Sequence, residues 1–343
     1  MGSTKSLSQN STKALDSPAV TTQDQDSVFE KDPTTANHIF GCRGLVGRNI
    51  SKASFQYLRN TTYGYSRARS LEKGFLHKQI QIDLTRELDD LSIDGIVSRE
   101  AQTQNLIFSA WSGHPRSDHS ELVSNKEANK RLVLNYKKLI TRTMPDYVVF
   151  ISSSGALCKS GESFSEETEP NPTTQYGIQK LVAEQELSAC CQDLGIPIGI
   201  LRISSASGFT DRAKGLGVVN EWSHKVARGI PISLLRPLSS TVNLISEDIL
   251  RDATAFCIKN HLDGIFNISS SNSVSLGEIV NCFAALGFEP NLIKEDLSNS
   301  MSFETLIDNA KFKQASGLRL DFDLKQETKA ILSKVLFTMR PRS

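Results

Sequence analysis

The chain has 343 residues, 38% hydrophobic and 22% charged, with a net charge of +1. That length suits one large α/β domain or a domain and a half, and the balanced charge gives no electrostatic footing for nucleic acid or an anionic membrane as main partner. No apolar stretch approaches the ~20 residues of a membrane-spanning helix, and the six cysteines form neither a CxxC pair nor a zinc-spaced Cys/His cluster, so no metal is expected and they read as reduced thiols of a cytoplasmic protein.

Residues 1–36 are rich in Ser, Thr, Gln and Asp and carry no apolar period. Such a segment cannot bury enough surface to offset its ordering entropy, so it predicts a flexible tail. From His38 the run HIFGCRGLVGRNI reads as a strand, a tight turn and a helix start. Gly41, Gly44 and Gly47 are spaced GxxGxxG, a variant of the dinucleotide fingerprint. Glycine permits the turn and lets backbone approach a pyrophosphate, whose charge rests on the helix N-terminus. Glycines that only serve helix packing would give the same spacing.

A second strand, over residues 61–65, ends at Ser66 and is followed by Arg67 and Arg69. An acidic residue at that end binds a ribose 2′-hydroxyl, and an arginine accommodates a 2′-phosphate. The absence of a carboxylate favours NADP(H), with NAD(H) as the second choice; the arginines can also be simple solvated charges. A third strand ends at Asp83-Leu84, where the carboxylate can accept from an adenine amino group or cap the next turn. The fourth, within residues 105–113, runs into Ser109 and Ala110, small enough to let a cofactor pass the strand end. Residues 121–143 are helical by pattern and carry Asn135, which acquires interest beside a catalytic Tyr and Lys.

Residues 147–184 organise the remainder. An apolar strand from Tyr147 breaks into Ser152, Ser153 and Ser154; a Pro-containing loop follows; then Tyr176 opens a helix that stops at Gly195. On that helix Tyr176 and Lys180 lie one turn apart on the same face. A buried strand over 196–205 continues the alternation of strands and helices, which implies a Rossmann-type, doubly wound parallel sheet. The division expected is an NAD(P)-binding domain at 37–207 and a mainly substrate-binding lobe at 208–343, some of whose strands can rejoin the main sheet. Within the lobe, Ser275 and Glu278 have the spacing of a capping box.

In this order and spacing the motifs resemble the extended short-chain dehydrogenase/reductase family, also called the NAD-dependent epimerase/dehydratase family. The resemblance covers about residues 37 to 336 and rests on GCRGLVG, Asp83-Leu84, SAW, Asn135, FISSSGAL, QYGIQKLVAEQEL and ILRISSASG. It implies that Tyr176 is the general acid/base, that Lys180 supplies charge and holds the nicotinamide ribose, and that Ser154 hydrogen-bonds the reacting oxygen. A neighbouring ammonium and a cationic nicotinamide ring would pull the phenol below its usual pKa of about 10. It further implies cofactor contacts at Gly41, Gly44, Gly47, Ser66, Arg67, Asp83, Leu84, Ala110 and Asn135. The members closest in texture act on nucleotide sugars, as UDP-glucose 4-epimerases or 4-keto-6-deoxyhexose reductases of polysaccharide biosynthesis, often as homodimers.

The departures narrow this. Gly155 and Ala156 stand where the family's dehydratases keep an Asp-Glu pair, which argues against dehydration. Ser205 and a position near Thr241 replace residues that meet the substrate diphosphate, with Arg212 or Arg236 as candidate substitutes. These losses keep open the alternative of a catalytically silent, nucleotide-binding regulatory member.

Overall fold

A computed structural model describes residues 32–68, 75–88, 93, 101–113, 119–210, 217–294 and 302–339. The expected tail up to residue 31, and Arg69 and Arg212, lie outside the described residues. Seven parallel strands form the central sheet: β1 (Asp32–Phe40), β2 (Asn60–Ser66), β3 (Lys78–Gln81), β4 (Thr103–Phe108), β5 (Tyr147–Ser153), β7 (Ile198–Ile203) and β11 (Gly264–Ile268), in the order β11-β7-β5-β4-β1-β2-β3. Between them β6 is Ser163–Phe164, β8 Ser205–Ala206, β9 Ile232–Leu234 and β10 Thr241–Ile245. The order reverses between β1 and β4, and in such sheets the crevice at that switch point takes the ligand. β1 opens at Asp32, ahead of the start expected near His38. Its first pair, Asp32 with Asn60, precedes a register break, and regular pairing resumes at Ala36.

The strands are apolar on both faces, as a sheet covered on both sides requires. Phe40, Leu106, Phe108, Val148, Phe150 and Ile200 pack toward α2 (His119–Thr143) and α3 (Gln175–Leu194). Their in-between neighbours Ile39, Ile107, Val149, Ile151 and Leu201 pack toward α1 (Leu45–Lys52) and α5 (Glu247–Lys259). α4 is Val218–Ala227. α1 runs straight into a π-helical turn over Ala53–Tyr57. Beneath that turn lies a buried polar chain: Asn105 Nδ2 donates to Asn37 Oδ1 at 2.8 Å, Asn37 Nδ2 to Ser54 Oγ at 2.8 Å, and Ser54 shares a 2.7 Å bond with Thr62.

The remaining elements are β12 (Ser273–Ser275), α6 (Leu276–Ala285), β13 (Leu292–Lys294), β14 (Leu306–Ile307), α7 (Ala310–Ser316) and α8 (Leu324–Thr338). With α4, β9 and β10, the elements β12, α6, β13 and α8 build a lobe around Trp222, Phe283, Ile331 and Val335, while α7 packs through Phe312 on the main sheet beside Phe266. Two small sheets, β12-β10-β8 and β13-β9, run through the lobe, and a third, β14-β6, lies apart around Leu157 and Phe164. Ser275 caps α6 by the expected capping box with Glu278. β11 leaves the lobe and pairs with β7 in the main sheet.

Candidate active site

The turn between β1 and α1 is held by its glycines. Gly41 has φ +94°, and a Cβ there would stand 2.5 Å from the Ala110 nitrogen. A Cβ on Gly47 would drive into the Gly41 carbonyl and the Ser109 hydroxyl, so Gly47 seats α1 on the turn. Gly44 differs: a Cβ there meets nothing nearer than 3.6 Å. Packing alone does not demand glycine at Gly44. It is the N-cap of α1, with no side-chain cap and no acidic residue in the first turn. The first N–H groups and the positive end of the helix dipole are therefore free for an anion.

A cavity of about 810 Å³ opens on this turn. Of the residues expected to hold a cofactor, Gly41, Gly44, Ser66, Arg67, Asp83, Leu84 and Ala110 line it. Arg43 and Arg48 line it too, and Asp83 is the one carboxylate among the described lining residues. Asp83 Oδ1 accepts from the Thr85 hydroxyl at 2.6 Å and its N–H at 3.1 Å. Burial pushes its carboxyl up, but the Thr85 bonds and the charges of Arg67 and Arg86 outweigh that and leave it below the usual carboxylate value. Ser66 is also engaged, donating to the Ala68 carbonyl at 2.7 Å and accepting from Gln79 at 3.1 Å. Asn135 stands elsewhere: its amide donates to the carbonyls of Leu84 and Arg86, at 2.8 and 2.6 Å. It holds the wall of the cavity from behind, because a buried amide on α2 reaches the adjacent loop before it reaches α3.

The second half of the site is where α3 docks on the end of β5. Three residues on one helical face make the joint. Gly177 packs on the Ala156 carbonyl and leaves no room for a side chain. Lys180 Nζ donates to the Ile151 carbonyl at 2.7 Å. Glu184 accepts from the Ser152 hydroxyl. The helix starts at Thr174, whose hydroxyl accepts from the Gly177 N–H. Glu184 is paired with Arg202 of β7 at 2.8 Å, both side chains only 3% exposed. This pair was not anticipated from sequence. The two residues lie 18 positions apart on a helix and a strand, and no local pattern joins them.

Tyr176 and Lys180 do come together, with the ammonium 5.9 Å from the phenol ring centre. Ser154, at the strand end, is fully buried, and its hydroxyl has no hydrogen-bond partner among the described residues. An unmade bond on a buried hydroxyl costs ~1–3 kcal/mol. Burial pushes the Tyr176 phenol up to about 12; the lowering expected above depends on a cationic nicotinamide ring beside it. Burial lowers Lys180 to about 7, with Glu184 opposing. The Lys180 ammonium lies 4.0 Å from the centre of the Trp111 ring, and Trp111 also lines the cavity. Trp111 therefore joins the two halves.

The arrangement fits a nicotinamide dinucleotide. A glycine cradle and an open helix end meet a positively lined cavity of suitable size, and the Tyr176 phenol and Lys180 ammonium connect to it through Trp111. Residues 38–268, about two thirds of the chain, match the NAD dependent epimerase/dehydratase family. The chain belongs to that family. Its relatives include a Methanocaldococcus jannaschii protein named "Putative UDP-glucose 4-epimerase", 21% identical over 306 residues, which cover 86% of this chain and 96% of the relative. A second, the UDP-2-acetamido-2,6-beta-L-arabino-hexul-4-ose reductase of Pseudomonas aeruginosa, is 24% identical over 104 residues, 28% of each chain. The solved structure of MoeE5 in complex with UDP-glucose and NAD superposes with a TM-score of 0.74 at 20% identity, covering 89% of this chain and 100% of that one. That likeness is one of fold, and it is the Rossmann sheet of this enzyme family.

Proposed function

We propose that the protein is an NAD(P)-dependent enzyme that epimerises or reduces a nucleotide sugar at a hydroxyl or keto carbon, in the manner of a UDP-glucose 4-epimerase or a 4-keto-6-deoxyhexose reductase. The observation that carries this reading is the Tyr176–Lys180 pair on α3, joined through Trp111 to a glycine-cradled cavity. The chemistry a nicotinamide dinucleotide supplies when bound here is reversible hydride transfer. Gly41, Gly44 and the first turn of α1 would hold its phosphates, and Asp83, Leu84 and Ala110 would flank it. Tyr176 moves the proton at the sugar oxygen, Ser154 hydrogen-bonds that oxygen, and Lys180 supplies the neighbouring charge.

A phenol held near 12 is a proton donor at neutral pH, which suits reduction of a ketone. Epimerisation begins with proton removal and needs a cationic ring and the Lys180 charge to bring the phenolate within reach. Arg67 and Arg43 on the cavity wall, with Asp83 bound to Thr85, favour NADP(H) over NAD(H). We further infer a homodimer, a place in cytoplasmic polysaccharide biosynthesis, and a mainly substrate-side role for residues 208–343.

A silent regulatory member is the second reading, and two placements favour it. Thr241 is tied to Thr305 at 2.8 and 3.0 Å, and Arg236 stacks 4.3 Å over the Phe303 ring. Purified protein separates the readings. A nicotinamide spectrum retained through desalting marks the epimerase; stoichiometric NADPH consumption with a UDP-keto sugar marks the reductase. Tyr176→Phe should then cost about 10²- to 10⁴-fold in kcat, and unchanged turnover would overturn the catalytic assignment.

A further inference from the structure

We propose that Trp111 is a positioning residue for the proton-transfer pair, its indole face holding the Lys180 ammonium, charged, against the main-chain carbonyl of Ile151. This rests on the role given to Lys180 above. The ammonium has three N–H donors, and among the described residues it finds a single acceptor, the Ile151 carbonyl at 2.7 Å. The side chain is 3% exposed, so water does not supply the others. Burying an ammonium on one hydrogen bond is costly.

The surrounding charges do little to offset that cost. Glu184, one turn along α3, acts on Lys180 but has its oxygens bonded to Arg202, at 2.8 to 3.2 Å, and to Ser152. Tyr176 faces the ammonium as a neutral phenol. What remains is aromatic: Trp111 at 4.0 Å, Phe150 at 4.8 Å and Tyr176 at 5.9 Å. Trp is the strongest of these partners for a cation, and it is the nearest.

The indole is held in place from both sides. The carbonyl before it, on Ala110, accepts from the Tyr136 hydroxyl at 2.8 Å. The residue after it, Ser112, exchanges two bonds with the Asn129 amide, at 2.9 and 3.0 Å. That same amide donates to Gln179, the neighbour of Lys180, at 2.7 Å. The ring meets Phe150 edge-on at 5.9 Å. Its own Nε1–H has no acceptor among the described residues, so the ring orientation follows the ammonium and Phe150, not a hydrogen bond.

The experiment reads Lys180 directly in the protein without dinucleotide. Lysine isotope-labelled at Cε is followed by NMR, and the Lys180 signal is assigned through Lys180→Arg. Tryptophan is replaced biosynthetically by analogues carrying increasing numbers of fluorines, which weaken the negative ring face at nearly constant shape. The other tryptophan, Trp222, lies in the lobe core. The Lys180 protons should be shifted upfield by the ring, and the titration midpoint should fall stepwise with fluorination, by about one pH unit in all. Trp111→Leu should reach the same endpoint without the upfield shift, and Trp111→Phe should fall between. A midpoint indifferent to fluorination overturns the proposal, and that arm stands even if Trp111→Leu does not fold. A thermal-shift titration with NADP(H) and NAD(H) tests the underlying reading apart: failure to bind either sinks the dinucleotide assignment and leaves the Trp111 result to be judged alone.

Discussion

The two helices that frame the site are built on opposite terms. α1 begins at Gly44 with its N-terminus uncapped, on a turn where Gly41 and Gly47 leave no room for a side chain, beside an open cavity with basic walls. α3 begins at Thr174 with its N-terminus capped, and it docks through a buried lysine, a buried ion pair and a shared carbonyl. The first leaves its polar groups for a ligand. The second consumes its polar groups Lys180 and Glu184 within the chain. A lesion at α1 should therefore weaken binding with little loss of fold, while a lesion at α3 should weaken the fold itself.

The largest effect is expected from Glu184→Ala. It leaves the Arg202 guanidinium buried without its carboxylate, a change that costs about 3–5 kcal/mol. Urea unfolding measures it, and a loss below about 1 kcal/mol would mean the α3 joint is not held by charge. Lys180→Met comes next and shows itself through pH. Folded Lys180 lies at about 7, below its ordinary 10.5. Between those values the unfolded chain binds more protons, so stability rises with pH across that window, and the penalty is fully present below it. Tyr176, shifted upward from 10.0, acts only above that value. The variant should lose a rise on the order of a few kcal/mol, read from unfolding free energies at neutral and alkaline pH.

Gly44→Asp probes the opposite helix. Space exists for its Cβ, and an N-cap carboxylate in place of glycine stabilises a helix by about a few tenths of a kcal/mol. The free protein should hold or gain in Tm, while the rise in Tm on adding NADP(H) or NAD(H) disappears. A variant that still responds to dinucleotide would place the phosphates elsewhere. Thr174→Ala is the smallest, a loss of about 1 kcal/mol from the α3 cap, measurable as a lower urea midpoint with dinucleotide response retained.

Much of this architecture is readable from local pattern. Alternating apolar residues such as Phe40 with Ile39 and Phe150 with Val149 specify a sheet buried on both faces. The Gly41 turn and the Ser275–Glu278 capping box are short-range devices whose chemistry is contained in a few neighbouring residues. Tyr176 and Lys180 are legible because a helix puts them one turn apart. What was hidden depends on contacts between segments far apart in sequence. Trp111 meets Lys180 across β4 and α3, and Arg202 meets Glu184 across β7 and α3. Asn135 is bonded to the loop carbonyls of Leu84 and Arg86, a contact between distant segments. The upward displacement of Tyr176 follows from burial, which depends on the assembled fold. Asn37, Thr62 and Asn105 are polar residues within strands; only the π-helical turn above them supplies Ser54 as a partner.

The placement of β11 has a consequence for how the molecule is assembled. Its pairing with β7 closes one side of the main sheet with a strand synthesised after residues 204–263. Chains emerge from the ribosome N-terminus first, so β7, six residues all buried in the finished protein, must wait with one row of N–H and C=O groups unpaired. Such an apolar edge is a template for association between chains. Expression of residues 37–207 alone would leave that edge uncovered. The chain after residue 207 therefore supplies the strand that covers this edge.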